Sequence, residues 1–354
     1  MDKKASILTF HCVPNYGAVL QTYAMQEYLK KHYDRVEVVD YRPESLLAEY
    51  RYLNFYSIYS LGATLWSLLP FWRKCRKFRA FEKKYLNLAS SEKVSTDLLI
   101  LGSDQIWNPQ ITKGLDPVYF GQLACEEKPV VVSYAASVGK AELETEEKTF
   151  FQNALKGIDC ISVREEEARE LLMPLTEKPI SVTADPTILA GAECFLPHIR
   201  PLKYKNYILL YSLNGYKETE DLAQKISRYF GRPLVELSGR RKGIVRKNHK
   251  VLYSAGPEEF VSLIAGADYV ITDSFHGTVF SLLFHKQFVS IPHKTRNGRI
   301  RGLLEICGLQ ERLTKTFHRR VVDAVPDWEK VDAKLADLRK ISETFLKEAE
   351  SGNA

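Results

Sequence analysis

Cysteine is scarce in this chain, and the few cysteines lie far apart. None of the six forms a Cys-x-x-Cys pair, so the sequence indicates neither a zinc site nor a disulfide framework. No Asp-x-Asp pair stands at the end of a predicted strand, where it could bridge magnesium and a diphosphate. We therefore expect no metal and no cofactor, and the unpaired thiols are typical of a reducing cytoplasm. The cysteines are Cys12, Cys75, Cys125, Cys160, Cys194 and Cys307.

Several other classes of protein are excluded by what the chain does not contain. It has no internal repeat and no dense cluster of Lys and Arg interleaved with aromatic residues, so we expect no nucleic-acid partner. No secretory signal opens the sequence, because the first predicted strand begins almost at Lys4. The 354 residues are 45% hydrophobic and 27% charged with a net charge of +6, which is typical of a globular protein of two domains.

Charged residues are absent from residues 52–72, an aromatic-rich stretch that a basic run follows. Polar residues, Gly62 and Pro70 dilute this stretch, so it does not predict a transmembrane helix. Two interpretations remain open. The segment is either a helical excursion packed on its own domain or on a second subunit, or an interfacial element that contacts the inner face of a membrane through residues 52–79. The basic residues are Arg73, Lys74, Arg76, Lys77 and Arg79.

Apolar runs typical of buried strands alternate with helical periodicity in two blocks, which predicts an α/β protein with two doubly wound domains, each built on a parallel sheet. In the first block we predict strands at 7–11, 36–41, 98–102, 130–135, 160–164 and 180–183, and helices at 17–31, 146–157 and 165–173. In the second block we predict strands at 207–212, 234–237, 269–272 and 288–291, and helices at 218–230, 257–265, 278–284, 299–308 and 327–348.

A change of composition after Leu189 marks the boundary between the two blocks. Gly191, Pro197 and Pro201 are typical of a linker. We therefore predict an N-terminal domain at 1–190 with a helical excursion at 44–90, a C-terminal domain at 191–325, and a last helix at 326–354 that packs back on the N-terminal domain.

The stretch from Asp273 to Thr278 connects a predicted strand to a predicted helix. Ligands bind at the carboxyl ends of strands in open α/β sheets, and helix N-termini favour anions because backbone N–H groups point outward there. A histidine at this place can reach a bound phosphate, and Gly277 permits close approach of the backbone. The stretch therefore predicts half of an anion site.

Polar residues follow three other predicted strands, and together they place polar groups of both blocks at facing sheet edges. Each group alone is more typical of a turn or a surface ion pair than of a site. The groups are Asn15, Tyr16, Gly17 and Gln21; residues 102–108; and residues 162–165; with His293 and Lys294 added in the second block.

Five motifs that occur in a fixed order resemble the polysaccharide pyruvyl transferase family, and the resemblance covers roughly residues 5–310. The motifs are NYGA at 15–18, GSDQIWN at 102–108, SVRE at 162–165, ADPT at 184–187 and TDSFHGT at 272–278.

The resemblance implies two Rossmann-like domains facing across a cleft, as in GT-B glycosyltransferases, with the acceptor on the N-terminal side and the donor on the C-terminal side. It also implies transfer of pyruvate from phosphoenolpyruvate, the co-substrate, to two hydroxyls of one sugar of a glycan or lipid-linked saccharide. Arg164 and His276 match the positions that hold or activate the donor in the family. A basic residue further on also binds the donor; His293, Lys294 and Arg296 are the candidates, with Lys294 the first choice.

The chemistry of phosphoenolpyruvate agrees with these donor residues. Its carboxylate and phosphate need cationic partners, and Arg164 can bind either group bidentately. Backbone N–H groups of Gly277 and Thr278, with the hydroxyls of Ser274 or Thr278, are predicted to hold the phosphate. Histidine exchanges protons near neutral pH, so His276 is the natural general acid, although a structural cap on the helix is the alternative.

The acceptor needs a base for its hydroxyls and a surface for its ring. Asp104 is the best candidate for the base, and Trp107 for stacking on the sugar. Asn15 and Asn108 are predicted to bind hydroxyls, with Gly17 and Gln21 in the same group. Asp104 could instead cap a turn, and Trp107 could belong to the core. We expect Asp185 to shape the crossover between domains.

Pyruvyl transfer in the synthesis of a cell-surface polysaccharide is therefore the leading hypothesis. A nucleotide-sugar glycosyltransferase of GT-B architecture is the alternative within enzymes. A non-catalytic protein of glycan assembly is the alternative outside them, and the presence of Arg164 and His276 argues against it.

Overall fold

The computed structural model describes residues 2–48, 61–238, 249–292 and 298–351, and for residues 61–68 it describes the backbone alone. The chain folds into two compact units, each composed of more than one stretch of sequence. Unit 1 comprises Met1–Glu49, Phe81–Cys194 and Leu335–Ala354, and unit 2 comprises Tyr50–Ala80 and Phe195–Lys334.

Unit 1 is built on a seven-stranded parallel sheet with the strand order β3-β2-β1-β4-β5-β6-β7. The central strands are apolar on both faces, as expected for a parallel sheet covered by helices. The elements as far as the end of this sheet are β1 (Lys4–Leu8), α1 (Tyr16–Leu29), β2 (Arg35–Val39), α2 (Glu44–Ala48), α3 (Leu61–Tyr85), β3 (Leu88–Ala89), β4 (Leu98–Asp104), α4 (Pro109–Thr112), β5 (Val130–Ala136), α5 (Thr145–Ala154), β6 (Cys160–Val163), α6 (Glu166–Leu172), β7 (Ile180–Val182) and α7 (Pro186–Ala190).

Unit 2 is built on a five-stranded parallel sheet with the order β10-β9-β8-β11-β12. One face buries alternate residues such as Ile208 and Leu210 against Leu222 and Ile226 of the following helix. Its elements and those that follow are β8 (Ile208–Ser212), α8 (Lys217–Phe230), β9 (Leu234–Ser238), β10 (Lys250–Leu252), α9 (Pro257–Ala265), β11 (Tyr269–Thr272), α10 (Phe275–Leu283), β12 (Gln287–Ser290), α11 (Gly298–Ile306), α12 (Arg319–Asp323) and α13 (Trp328–Ser351).

The predicted fold class is confirmed, because two blocks of alternating strands and helices each form a doubly wound parallel sheet. Most predicted strands and helices lie within a few residues of the observed ones. The largest differences concern β1, which begins at Lys4 rather than at residue 7, and α10, which begins at Phe275 rather than at residue 278. The sequence did not predict β3 or β10, which are edge strands of two and three residues.

The final helix, α13, contributes its greater part to unit 1. Ser342 Oγ accepts a hydrogen bond from the Ala184 backbone at 2.8 Å, and Arg339 donates to the Ile188 carbonyl at 2.7 Å. Lys3 also forms an ion pair with Glu350 at 2.9 Å. These contacts tie the end of the chain to β1 and to the loop after β7.

Helix α3 is divided between the units, which differs from the prediction that the whole excursion at 44–90 belongs to the N-terminal domain. Its part up to Ala80 groups with unit 2. The reason is local: Lys77 forms an ion pair with Glu259 in the first turn of α9, and Lys77 packs so closely on Gly256 that a Cβ there would overlap it. Residues 49–60 of the predicted excursion lie outside the described residues. In the described part of the chain, no helix is both long and apolar enough to cross a bilayer.

Candidate functional site

A polar network lies at the carboxyl ends of β1 and β4, where the strand order of unit 1 reverses. Ligands bind at this place in open α/β sheets. Thr9 donates from Oγ1 to the Ser103 carbonyl at 2.7 Å and accepts from Gln21 Nε2 at 2.9 Å. Ser103 Oγ lies 3.2 Å from Asp185 Oδ2, to which it donates. Gln21 is fully buried, so its contacts hold the strand ends together and do not face solvent.

Arg164 lies in this network among three carboxylates, with only 1% of its side chain exposed. Its Nη1 donates to Asp185 Oδ2 at 3.0 Å, its Nη2 lies 3.7 Å from Asp104 Oδ1, and its Nε lies 3.8 Å from Glu165 Oε2. Burial on its own would lower the pKa of Arg164, but the charges of Asp185, Asp104 and Glu165 raise it above the ordinary value. The guanidinium therefore remains charged.

These contacts bear on the donor role that the resemblance implies for Arg164. One cation that faces three carboxylates offers no net positive charge as it stands. The contacts support a role in positioning Asp104, and the donor clamp stays a prediction. Asp185 was expected to shape the crossover between the domains, and its bond to Arg164 was not predicted.

Asp104 is the most exposed of the three carboxylates around Arg164, at 13% of its side chain. Its backbone adopts φ 74°, the left-handed region that few residues other than glycine occupy. Its Oδ1 accepts from the backbone N–H of Gln105 at 2.8 Å. The capping alternative considered from the sequence is therefore observed, and the neighbouring Arg164 holds the carboxylate at the same edge of the sheet.

Two of the predicted acceptor residues act as helix caps. Asn15 Oδ1 accepts from the backbone N–H groups of Gly17 and Ala18 at the start of α1, at 3.0 and 3.5 Å. Asn108 Oδ1 accepts from Gln110 N at 3.0 Å at the start of α4, and the Asn108 side chain is fully buried. Gly17 is buried too, so the structure gives these residues a local structural role.

Trp107 lies in the core of unit 1, which corrects the prediction that it stacks on a sugar. The indole is fully buried, and its Nε1 donates to the Tyr119 carbonyl at 3.0 Å. Its ring stacks on Phe120 at a centroid distance of 5.2 Å and meets Phe151 edge-on at 6.0 Å. An indole enclosed in this aromatic cluster presents no face to an acceptor.

In unit 2 the strand order reverses between β8 and β11, and Asp273 joins the loops that follow them. Its carboxylate accepts from Ser212 Oγ at 2.8 Å, from the Leu213 backbone at 2.6 Å, and from the backbone and side-chain nitrogens of Asn214 at 3.1 and 3.0 Å. A protein carboxylate thus occupies donors that an anionic ligand could otherwise use. The sequence placed Asp273 in the motif without predicting this role.

The beginning of α10 corrects part of the predicted phosphate site. Ser274 caps the helix, because its Oγ accepts from the Gly277 N–H at 3.4 Å. The Thr278 N–H and hydroxyl lie 3.0 and 3.1 Å from the Ser274 carbonyl, and the hydroxyl also meets Ser290 Oγ at 2.7 Å. The N–H groups predicted to hold phosphate are therefore already bonded within the helix end.

His276 is the second residue of α10, at the carboxyl end of β11. It is buried, and its ring lies 5.3 Å from the ring of Phe275. Arg299, which the sequence did not single out, places its guanidinium 6.0 Å from the Phe275 ring centroid. His293, Lys294 and Arg296 lie outside the described residues, whereas Arg299 is a described cation near this helix end.

A direct test of the helix end uses Gly277, where a Cβ would overlap the side chain of Thr272. We expect Gly277→Ala to lower the free energy of unfolding by about 1–3 kcal/mol, because buried overpacking forces neighbours to move. Gly302→Ala in α11 is the matched control, since a Cβ there meets nothing within 4 Å, and a gain of about 0.5–1 kcal/mol is expected. Chemical denaturation of both variants measures this, and equal effects would contradict the close packing.

Among the described residues, no group of three or more His, Cys, Asp or Glu side chains is placed to hold a metal ion.

The fold of the chain resembles that of several solved structures. The S. aureus MnaA–UDP co-structure has a TM-score of 0.53 at 13% identity, covering 98% of this chain and 96% of that one. A UDP-N-acetylglucosamine 2-epimerase has a TM-score of 0.51 at 12% identity, covering 98% and 95%. At these identities the likeness is one of fold alone, and no curated protein sequence matches the chain.

A family model described as polysaccharide pyruvyl transferase matches residues 15–295. The matched region begins at Asn15 and contains all five ordered motifs, including Arg164 and His276. Because the match extends over most of the sequence and agrees with the resemblance drawn from the motifs, the chain belongs to the polysaccharide pyruvyl transferase family.

Proposed function

We propose that this protein transfers pyruvate from phosphoenolpyruvate to two hydroxyls of one sugar and thereby forms a ketal. The observation that carries the proposal is the position of His276, in the first turn of α10 at the carboxyl end of a central strand, in a chain of this family. A titratable side chain at a helix start beside the reversal point of the sheet suits proton transfer to a bound anion.

The proposed reaction has two steps at the central carbon of phosphoenolpyruvate, an addition and a displacement. In the first, a sugar hydroxyl bonds to this carbon and gives its proton to a general base, while His276 donates a proton to the methylene carbon, which becomes a methyl group. In the second, a neighbouring hydroxyl displaces the phosphate, and its proton leaves with a base or with the phosphate. The products are a pyruvate ketal and inorganic phosphate, and no cofactor or metal takes part.

The donor is a trianion at most, so its binding requires cations near His276. Arg299 lies beside Phe275 at the same helix end, and its guanidinium can bind a carboxylate or phosphate bidentately. The Ser274 hydroxyl accepts from Gly277 and keeps its own proton to donate. His293, Lys294 and Arg296 remain sequence candidates for the same task.

On the acceptor side we assign the general base to Asp104. It is the most accessible carboxylate of the Arg164 cluster, and its Oδ1 lies 3.7 Å from Arg164 Nη2. A carboxylate in this position can receive a proton from an acceptor hydroxyl. Asn15, Gly17 and Gln21 support the neighbouring backbone.

The acceptor class we propose is a cell-surface polysaccharide or its lipid-linked precursor, modified in the cytoplasm at the inner face of the membrane. Helix α3 provides a surface for such a location. Leu69 and Trp72 are more than half exposed, and the Arg76 guanidinium lies 5.2 Å from the Trp72 ring centroid. Aromatic and basic residues in this combination favour an anionic lipid surface.

We expect the double variant Trp72→Ala, Arg76→Gln to bind anionic vesicles about 10-fold more weakly than the unchanged protein, because each basic residue near such a surface contributes about 1 kcal/mol. Vesicle co-sedimentation at two salt concentrations measures this. Lys83→Gln, exposed near the end of the same helix, is the matched control. If the double variant and the control bound vesicles equally well, the proposed contact of α3 with the membrane would be contradicted.

The alternative function, transfer of a sugar from a nucleotide-sugar donor, shares the same architecture. The protein should be incubated with phosphoenolpyruvate and with a panel of nucleotide sugars, each with candidate saccharides, while phosphate and nucleoside diphosphate are measured. Acceptor-dependent release of phosphate from phosphoenolpyruvate supports the proposal. Release of nucleoside diphosphate without phosphate would favour the glycosyltransferase, and release of neither would favour a non-catalytic protein.

A further inference from the structure

A cavity of about 660 Å³ lies in unit 2 at the amino ends of the strands, away from the proposed donor site. Its lining includes residues just before β8, at the start of β9 and at the start of β10. His276 follows the carboxyl end of β11, and the five residues of β8 span about 16 Å of parallel sheet between the two edges. The cavity is therefore a separate place in the same unit.

Four cations line this cavity: Lys203, Lys205, Arg228 and Lys250. No Asp or Glu is among its described lining residues, and none of the four cations has a carboxylate partner within the described part of the chain. Like charges gathered around one concavity repel one another, and a bound anion relieves that repulsion. The charge pattern therefore favours a ligand with several negative charges.

His249 adds a buried polar group to the same cavity. Its Nε2 lies 2.8 Å from Glu236 Oε2, and only 6% of the His249 side chain is exposed. Its other ring nitrogen, Nδ1, is buried and has no hydrogen-bond partner among the described residues. Because Nε2 is paired with Glu236, Nδ1 is left to form a hydrogen bond with a ligand. An unsatisfied buried nitrogen is costly, and a polar group of a ligand would satisfy it.

The lining also provides aromatic surface. The ring of Tyr204 is half-buried in the lining, and Lys203 lies 5.4 Å from its centroid. Tyr207 is fully buried and donates its hydroxyl proton to the Leu263 carbonyl. The volume is within the range of pockets that hold small organic ligands. Cations around an aromatic wall suit a molecule with both a ring and phosphate groups.

We propose that this cavity binds a phosphate ester with more than one negative phosphate charge, at a site distinct from that of the donor. The site does not depend on the proposed transferase activity. Two sources share the chemistry, a free nucleoside diphosphate and a phospholipid headgroup.

The test is calorimetric titration of the full chain with inorganic tripolyphosphate and with ADP, and parallel binding to vesicles that contain phosphatidic acid. We expect one saturable site for at least one of these probes. Lys203→Gln with Lys250→Gln should weaken it about 10-fold or more, because charge-assisted hydrogen bonds to phosphate are lost. Lys217→Gln with Lys225→Gln, exposed on α8 and outside the cavity lining, removes the same charge and should leave the affinity within about 2-fold.

Three results would overturn the proposal. The first is that no probe binds saturably. The second is that the two double variants weaken probe binding equally. The third is that His276→Ala abolishes probe binding while the cavity variant binds normally, which would place the probe in the donor site. If only the cavity variant loses binding of the soluble probes, the ligand is a free phosphate ester. If only the cavity variant loses binding, and only to vesicles, the ligand is a lipid headgroup. Either pattern supports the site.

Discussion

Replacing His276 with alanine is expected to lower the rate of pyruvyl transfer by about 10²–10⁴-fold, because general acid catalysis contributes a factor of this size. The methylene carbon of phosphoenolpyruvate would then lack its proposed proton donor. The residue lies in the first turn of α10, where Ser274 and Thr278 make the bonds that secure the helix start. We therefore expect the variant to fold, and its thermal midpoint should be measured beside its kcat and KM.

His318→Ala is the matched control for this variant. His318 is exposed in the loop before α12, and its replacement should leave the rate unchanged. An unaltered rate in a folded His276→Ala variant would leave His276 with the structural role that the sequence offered as the alternative. A loss confined to KM would assign His276 to donor binding instead of proton transfer.

Replacing Arg164 with alanine is expected to lower the free energy of unfolding by about 3–5 kcal/mol, the cost of leaving buried carboxylates without their cation. Asp185 is fully buried, and Asp104 and Glu165 lie close to the same guanidinium. The cost should fall in the double variant Arg164→Ala, Asp185→Asn, because the most buried charge is then removed with its partner. Chemical denaturation of the single and double variants gives the coupling between the two residues.

Arg169→Ala is the control, since Arg169 forms only an exposed pair with Glu166 on α6 and should cost about 0–1 kcal/mol. If Arg164→Ala were no less stable than Arg169→Ala, the cluster would not hold this edge of the sheet. The proposed donor-binding role of Arg164 is tested separately with Arg164→Lys, which keeps the positive charge but loses the planar guanidinium that can donate two parallel hydrogen bonds. Weaker binding of phosphoenolpyruvate by a folded Arg164→Lys variant would support that role.

Much of the fold could be predicted because buried parallel strands are short apolar runs that need no partner to be recognised. Strand β11 and helix α9 lie where the sequence placed them. The start of α10 could not be predicted from the sequence, because Phe275 and His276 alone show no helical periodicity. Only the structure shows that Ser274 caps the helix just before them. The division of α3 depends on Lys77 and Glu259, which are far apart in sequence.

The sequence predicted which motif residues lie close together better than it predicted what each of them contacts. Motifs at strand ends were expected to gather at one edge of each sheet, and Arg164 and Asp104 do meet there. Whether a residue faces a ligand or the protein depends on tertiary packing, which one sequence does not contain. Trp107 therefore proved to be core, and the N–H groups of Gly277 and Thr278 proved to be bonded within the helix end.

The fate of the pyruvate carbons tests the proposed pyruvyl transfer most directly. Phosphoenolpyruvate labelled in its carbon skeleton should be incubated with the protein and with lipid-linked or polymeric saccharides, and label in the purified saccharide should be measured before and after mild acid. Pyruvyl transfer should give acid-labile label in the saccharide, matched by an equal amount of inorganic phosphate and absent with His276→Ala. Phosphate release without label in any saccharide, or label that does not depend on His276, would contradict it.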